Sequence, residues 1–199
     1  MEFSHIDVGA PRRSPPFAAL GGWLLLCFLA TTAAYAETTL LIRDGELRLN
    51  ENIYELDTTL VIELDDNARR ALEGGVTMRL DYEIAISRIR NYLPDDGIAT
   101  LVQSYELNYH ALSQRYLLRN LNTSEQFDFG SLNAALDKLS VIRNLPVLDA
   151  NLLPTGASYD VRVRAVLDSG RTPAALKWLL FWTEDWGAAS RWYSWTLRL

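Results

Sequence analysis

The chain has 199 residues, with 19 basic side chains against 25 acidic ones and a net charge of −6. Such a balance disfavours nucleic acid as a partner and tight electrostatic docking on anionic lipid, because both repel an acidic surface. A single cysteine excludes an internal disulfide framework, so packing alone has to hold the fold.

In chain order, the first signal is N-terminal. Arg12 and Arg13 precede an uncharged, largely apolar stretch from Phe17 to Ala30, and Ala34-Tyr35-Ala36 follows. A basic patch, an apolar run and an A-x-A site form the pattern of a secretory signal peptide. Residues 1–36 are therefore expected to be a signal peptide cleaved after Ala36. Residues 37–199 are expected to form a single β-rich periplasmic domain. The alternative is retention of residues 17–34 as an inner-membrane anchor, since no charge lies between Ser14 and Ala36. The sole cysteine, Cys27, follows Leu24-Leu25-Leu26 and lacks the small preceding residue that lipoprotein processing requires.

The dominant period beyond Ala36 is two. Tyr54, Leu56, Leu60, Ile62 and Leu64 share one face with Thr58, while Glu55, Asp57, Thr59 and Glu63 share the other. The same alternation runs from Val76 to Ile86, along Leu101–Tyr109 and along Tyr159–Leu167. Each reads as a strand with one wet side. Leu40–Ile42 and Leu47–Leu49 flank Asp44-Gly45, which predicts a hairpin turn there. After Ile86 the parity breaks, with Arg88 and Arg90 where apolar residues were due; a β-bulge or departure from the core explains this. Pro94-Asp95-Asp96-Gly97 predicts the next turn.

Two helices are expected. One is short, near residues 66–73, with Asp65 or Asp66 as cap, Ala68, Ala71 and Leu72 facing inward, and Gly74 as stop. The other, near residues 131–142, has Leu132, Ala135, Leu136, Leu139 and Ile142 on one stripe. Residues 173–182 fit either a helix or a strand. Strands at turn-punctuated spacing with an inserted helix point to a mainly β fold. Its form is an antiparallel β-sandwich, with immunoglobulin-like topology one arrangement open to it.

Catalytic chemistry finds few footholds. Beyond Ala36 there is one histidine, His110, and no cysteine, so a zinc or copper centre lacks its usual ligand cluster. No nucleophile elbow, S-x-x-K motif or phosphate-cradling glycine loop occurs. Neither a catalytic residue nor a metal or cofactor is assigned. Two recognition features stand out. Arg88 and Arg90, and Arg162 and Arg164, are arginine pairs that would form a forked anion site if their strands met on one face; cross-strand pairing with Glu83 or Asp160 is the plainer reading. All tryptophans beyond Ala36 (Trp178, Trp182, Trp186, Trp192 and Trp195) lie near the C-terminus, fit for core packing or for surface recognition.

Several pieces follow one another in a recognisable order: Leu107–Tyr116 with its Y-H-A-L run, the helix from Ser131, Tyr159–Asp168, Pro173, Asp185-Trp186 and Ser190–Trp195. Together they resemble the bacterial envelope family known as domain of unknown function 4390. The resemblance implies an exported protein without assigned activity, often encoded beside a membrane sensor kinase of the nitrogen-regulation type. The expectation is a non-enzymatic β-sandwich that binds another envelope protein, a sensor-kinase ectodomain being one candidate. Trp186, Trp192, Trp195, Arg88, Arg90, Arg162 and Arg164 are the candidate binding residues. The alternatives are a carbohydrate- or lipid-binding module using Trp186, Trp192 and Trp195, and a hydrolase using His110.

Overall fold

A computed structural model describes residues 37–90, 92, 94–169 and 187–199. The expected signal segment, its Ala34 and Ala36, the 173–182 stretch and Trp186 lie outside the described residues.

Two antiparallel sheets form. The smaller has the order β1-β2-β7, from β1 (Thr39–Asn50), β2 (Ile53–Glu63) and β7 (Val141–Asp149). The larger contains β3 (Met78–Arg88), β4 (Asp96–His110), β5 (Arg115–Asn120), β6 (Gln126–Phe129), β8 (Ser158–Ser169), β9 (Ala188–Ala189) and β10 (Tyr193–Arg198). Its order is β10-β8-β3-β4-β5-β6, with β9 also paired to β8. The sheet orders match those of a variable-type immunoglobulin sandwich. There β1-β2-β7 correspond to strands A, B and E, and β10-β8-β3-β4-β5 to G, F, C, C′ and C″. The usual D strand has no counterpart among the described residues; α2 (Leu132–Leu139) stands at that point in the chain.

The alternation in the sequence builds the core directly. Tyr54, Leu56, Thr58 and Leu60 of β2 are buried, as are Met78, Leu80, Tyr82, Ile84 and Ile86 of β3, and Tyr159, Val161, Val163, Ala165 and Leu167 of β8. Buried Thr58 satisfies its hydroxyl by donating to Asp44 O at 2.6 Å. A three-stranded sheet cannot cover a six-strand path alone. β1 packs over β8 and β10, while α1 (Asp66–Glu73) packs on β4 and α2 on β5 and β6. Tyr159, at the start of β8, donates its hydroxyl to Pro154 O at 2.9 Å. This is the tyrosine corner of the immunoglobulin fold, two residues before the position that holds a disulfide cysteine in antibody domains. Here that position is Val161, fully buried.

Both helix caps form. Asp65 accepts from the Ala68 amide at 2.7 Å, and Ser131 from Ala134 at 3.3 Å. Three expectations change. Asp44-Gly45 is no hairpin turn: β1 runs through it with a bulge between Ile42 and Asp44, and the turn falls at Glu51-Asn52 instead. The reason lies across the sandwich, where the Gly45 position faces the Trp195 ring; an added Cβ would sit 2.7 Å from it. The glycine serves close approach. The second helix stops at Leu139, and Val141-Ile142 enter β7, where β-branched residues suit the strand. Finally, the bulge expected after Ile86 sits in the partner strand β4, because the register of β3 with β4 shifts between Ile86 and Ser87 while its register with β8 stays regular; β3 itself leaves the core at exposed Arg88, its last residue.

Candidate functional site

The larger sheet turns its second face outward. β3 contributes Arg79, Asp81, Glu83, Ala85 and Ser87 to it, and β8 contributes Asp160, Arg162, Arg164, Val166 and Asp168. Register places these groups in cross-strand rows. One row runs Asp168, Arg79, Glu106 and Arg119 across β8, β3, β4 and β5, alternating in charge. Such pairing suits a solvated sheet face. Arg79 is held by Asp81, with Nε at 2.9 and 3.1 Å from the two carboxylate oxygens, and donates to Ser104 Oγ at 3.1 Å. The hydrogen bond to Asp81 raises its pKa further above the ordinary arginine value.

The next feature on this face is aromatic. Trp192 stands just before β10 and is 40 % exposed. The Arg164 guanidinium lies 4.6 Å from its ring centroid and that of Arg162 5.8 Å away. A cation above an indole ring is attracted by the ring quadrupole, more so where water is partly excluded. Glu83 fixes Arg164, accepting from its Nε at 2.7 Å with Nη2 at the same distance. Arg162 Nε lies 3.2 Å from Asp160 Oδ2, an ion pair whose geometry falls short of a hydrogen bond. The hydroxyl of Ser87, directly opposite Asp160, is buried and has no protein partner among the described residues.

The local backbone explains why Trp192 reaches this face. Ser190 Oγ accepts from the Ala165 amide at 2.9 Å, and the Ser190 amide donates to Ala165 O at 2.8 Å. These bonds carry the chain from β9 to β10 with a break in the ladder. Trp195 then follows the inward parity of β10, beside Tyr193, and packs on the core over Gly45.

The structure thus brings together Trp192, Arg162 and Arg164, and separates the other candidates from them. Trp195 is a core-side residue. Arg88 pairs with Tyr159 at the end of β3, on the parity of the buried residues, whereas Arg162 and Arg164 face outward. Arg90 is ion-paired with Asp96 beyond the end of β3. The four arginines therefore form no common anion site, and the cross-strand pairing with Glu83 is what appears for Arg164. Trp186 lies outside the described residues. His110 is exposed at the β4–β5 turn, its Nδ1 2.9 Å from Ser113 Oγ, an i, i+3 contact that ties the turn together. Among the described residues no group of three metal-ligating side chains occurs, and no helix is long and apolar enough to cross a membrane.

The sequence reading missed the charged row through Asp168, Arg79, Glu106 and Arg119, and it missed Val102. Val102 is exposed and stands directly opposite Glu83, extending the row of Trp192 and Arg164. Its signal was an apolar residue on the polar parity of β4, a pattern that marks surface contact more often than core.

Fold and face together define the class: an immunoglobulin-like β-sandwich that exposes a charged, aromatic-centred sheet face. The chain belongs to the family described as Domain of unknown function (DUF4390), whose model matches residues 37–196. No curated protein and no solved structure matches it.

Proposed function

We propose that this is a non-enzymatic exported protein that binds another envelope protein through the outward face of its larger sheet. The single observation that supports this most is the exposed Trp192 with Arg164 and Arg162 against it and Glu83 behind. Tryptophan and arginine are the residues that most often anchor protein interfaces, because each buries a large surface and keeps a directional polar group. Each cation has a carboxylate companion, so the patch is close to neutral. A neutral, mixed face suits a polar protein surface better than a free anion. The ectodomain of a membrane sensor kinase is one candidate partner; the family resemblance, with its gene neighbours, suggests it.

The test is affinity capture from envelope extract with the purified protein and with Trp192→Ala and Arg164→Ala variants of unchanged circular dichroism. The expected result is a specific protein that each variant retains at least about tenfold less well, the loss of roughly 1.4 kcal/mol or more typical of an interface anchor. Equal capture by all three proteins would sink the reading. A second reading is that Trp192 stacks on a sugar ring beside the two guanidinium groups. Binding of peptidoglycan fragments that quenches fluorescence in the wild type and not in Trp192→Phe would favour it over a protein partner.

A further inference from the structure

The two arginines beside Trp192 are held in different ways. Arg164 stands directly opposite Glu83 on β3, with Nε and Nη2 both 2.7 Å from Glu83 Oε2. Arg162 stands opposite Ala85 on β3 and Ser194 on β10, and neither offers a charge. Its one carboxylate contact among the described residues is Asp160, two residues earlier on its own strand. Side chains two residues apart share a face but are set about 7 Å apart along a strand, so Arg162 has to fold back to meet it. The fold-back reaches 3.2 Å and makes no hydrogen bond.

Asp160 in turn stands opposite Ser87 on β3 and Thr196 on β10. Ser87 lies on the outward parity of β3 and is nevertheless only 5 % exposed. Among the described residues two buried side-chain atoms have no hydrogen-bond partner, and they are Ser87 Oγ and Arg162 Nε. Both donors therefore border the same carboxylate, and neither is bonded to it. A buried donor without an acceptor costs its desolvation and gains nothing in return. Asp160 is within reach of Ser87, since directly opposed side chains start about 5 Å apart at Cβ. Arg162 then lacks an acceptor of its own, because Glu83 is already engaged by Arg164.

We propose that Arg162 is the specificity-determining contact of the outward face, and that it takes an aspartate or glutamate side chain of the bound protein. On association Arg162 leaves Asp160, and its guanidinium fork donates two parallel hydrogen bonds to the incoming carboxylate. The Ser87 hydroxyl turns to donate to Asp160 in its place, so both unpartnered donors gain an acceptor. Trp192 lies beside both guanidinium groups, and the new pair forms against an apolar ring that excludes part of the water around it. Arg164, closed by Glu83, is the fixed member of the pair and Arg162 the one that changes partner. This inference rests on the reading of the face as the binding surface and names the chemistry it selects.

The test combines capture from envelope extract by the full chain with urea titration of the free protein. Asp160→Asn is expected to retain the Trp192-dependent partner about twofold better or more, because Arg162 no longer has to leave a carboxylate. Arg162→Lys is expected to retain it about tenfold less well, since an ammonium keeps the charge and loses the fork. Ser87→Ala is expected to lower retention while its urea midpoint equals or exceeds that of the wild type, because the lost hydroxyl had no partner in the free protein. Retention by Asp160→Asn at or below the wild-type level, or unchanged retention by Arg162→Lys, would overturn the proposal. So would unchanged retention or a lower urea midpoint for Ser87→Ala. In each of these cases the Trp192 and Arg164 variants still lose the partner, so the binding surface stands while the role of Arg162 falls. A wild-type chain that captures no protein lost by Trp192→Ala overturns both readings together.

Discussion

Tyr82 ties two layers together through one atom. Its ring lies in the core of β3, edge-on to Tyr105 at 6.3 Å, and its hydroxyl donates to Leu139 O, the last residue of α2, at 2.5 Å. Burial holds its phenol well above the ordinary tyrosine pKa, with Tyr105 adding to the shift. A folded-state pKa raised above the unfolded value favours the protonated native form. That contribution is complete below about pH 10 and is lost as the pH climbs past it. Tyr105 and Tyr116 shift in the same direction, again chiefly through burial. The expected outcome is base-induced unfolding above about pH 10, read by far-ultraviolet circular dichroism. In Tyr82→Phe stability at neutral pH falls by about 1–3 kcal/mol, because Leu139 O loses its donor, and the alkaline loss becomes shallower. Gly45→Ala should cost about 1–3 kcal/mol in denaturant titration, since its Cβ meets the Trp195 ring.

At this scale the sequence was legible where parity decided and illegible where a bulge intervened. Trp192 and Trp195 are three residues apart, and an odd spacing on a strand sends side chains to opposite faces. That parity corrects the expectation that grouped both as binding residues, since of the two only Trp192 is a surface tryptophan. Likewise Arg88 falls on the apolar parity of β3 and Arg162 on the polar parity of β8. What no local pattern carried was the Gly45 hollow, which exists only because β10 lies across the core from β1.

Among elements, α1 followed its sequence most closely, because cap, apolar stripe and stop all lie within ten consecutive residues, Asp65 to Gly74. Asp65 serves twice, capping the helix through its side chain and donating its amide to Thr38 at the start of β1. Asp65→Ala is expected to destabilise the protein by about 1 kcal/mol, measured as a lower midpoint in urea. β7 was hidden. Its first residues continue the α2 stripe, Asn144 adopts a left-handed backbone with φ 52°, and Pro146 interrupts the ladder. The register with β2 breaks twice, between Tyr54 and Glu55 and between Leu56 and Thr58. Those breaks also blunt β7 as an edge, which limits pairing with another chain. Asp57 compensates by accepting from the Asn144 amide at 2.7 Å and pairing with Arg48 at 2.6 Å.

At the scale of the whole molecule, alternation gave the strands and their faces, while the order of strands came from connections that no periodicity records. The pairing of β8 with β3, far apart in sequence, is what sets Arg164 against Glu83, while Trp192 lies over the Arg164 guanidinium. The proposed binding surface is this outward face, with the outer face of the smaller sheet uninvolved. Photo-crosslinking tests it most directly, with a photoreactive side chain placed at Val102 on the larger sheet or at Thr59 on the outer face of the smaller one, in living cells. The expected result is an adduct with one envelope protein from position 102 that disappears in the Trp192→Ala background, and none from position 59. An adduct from position 59 alone, or one from position 102 that persists without Trp192, would contradict it.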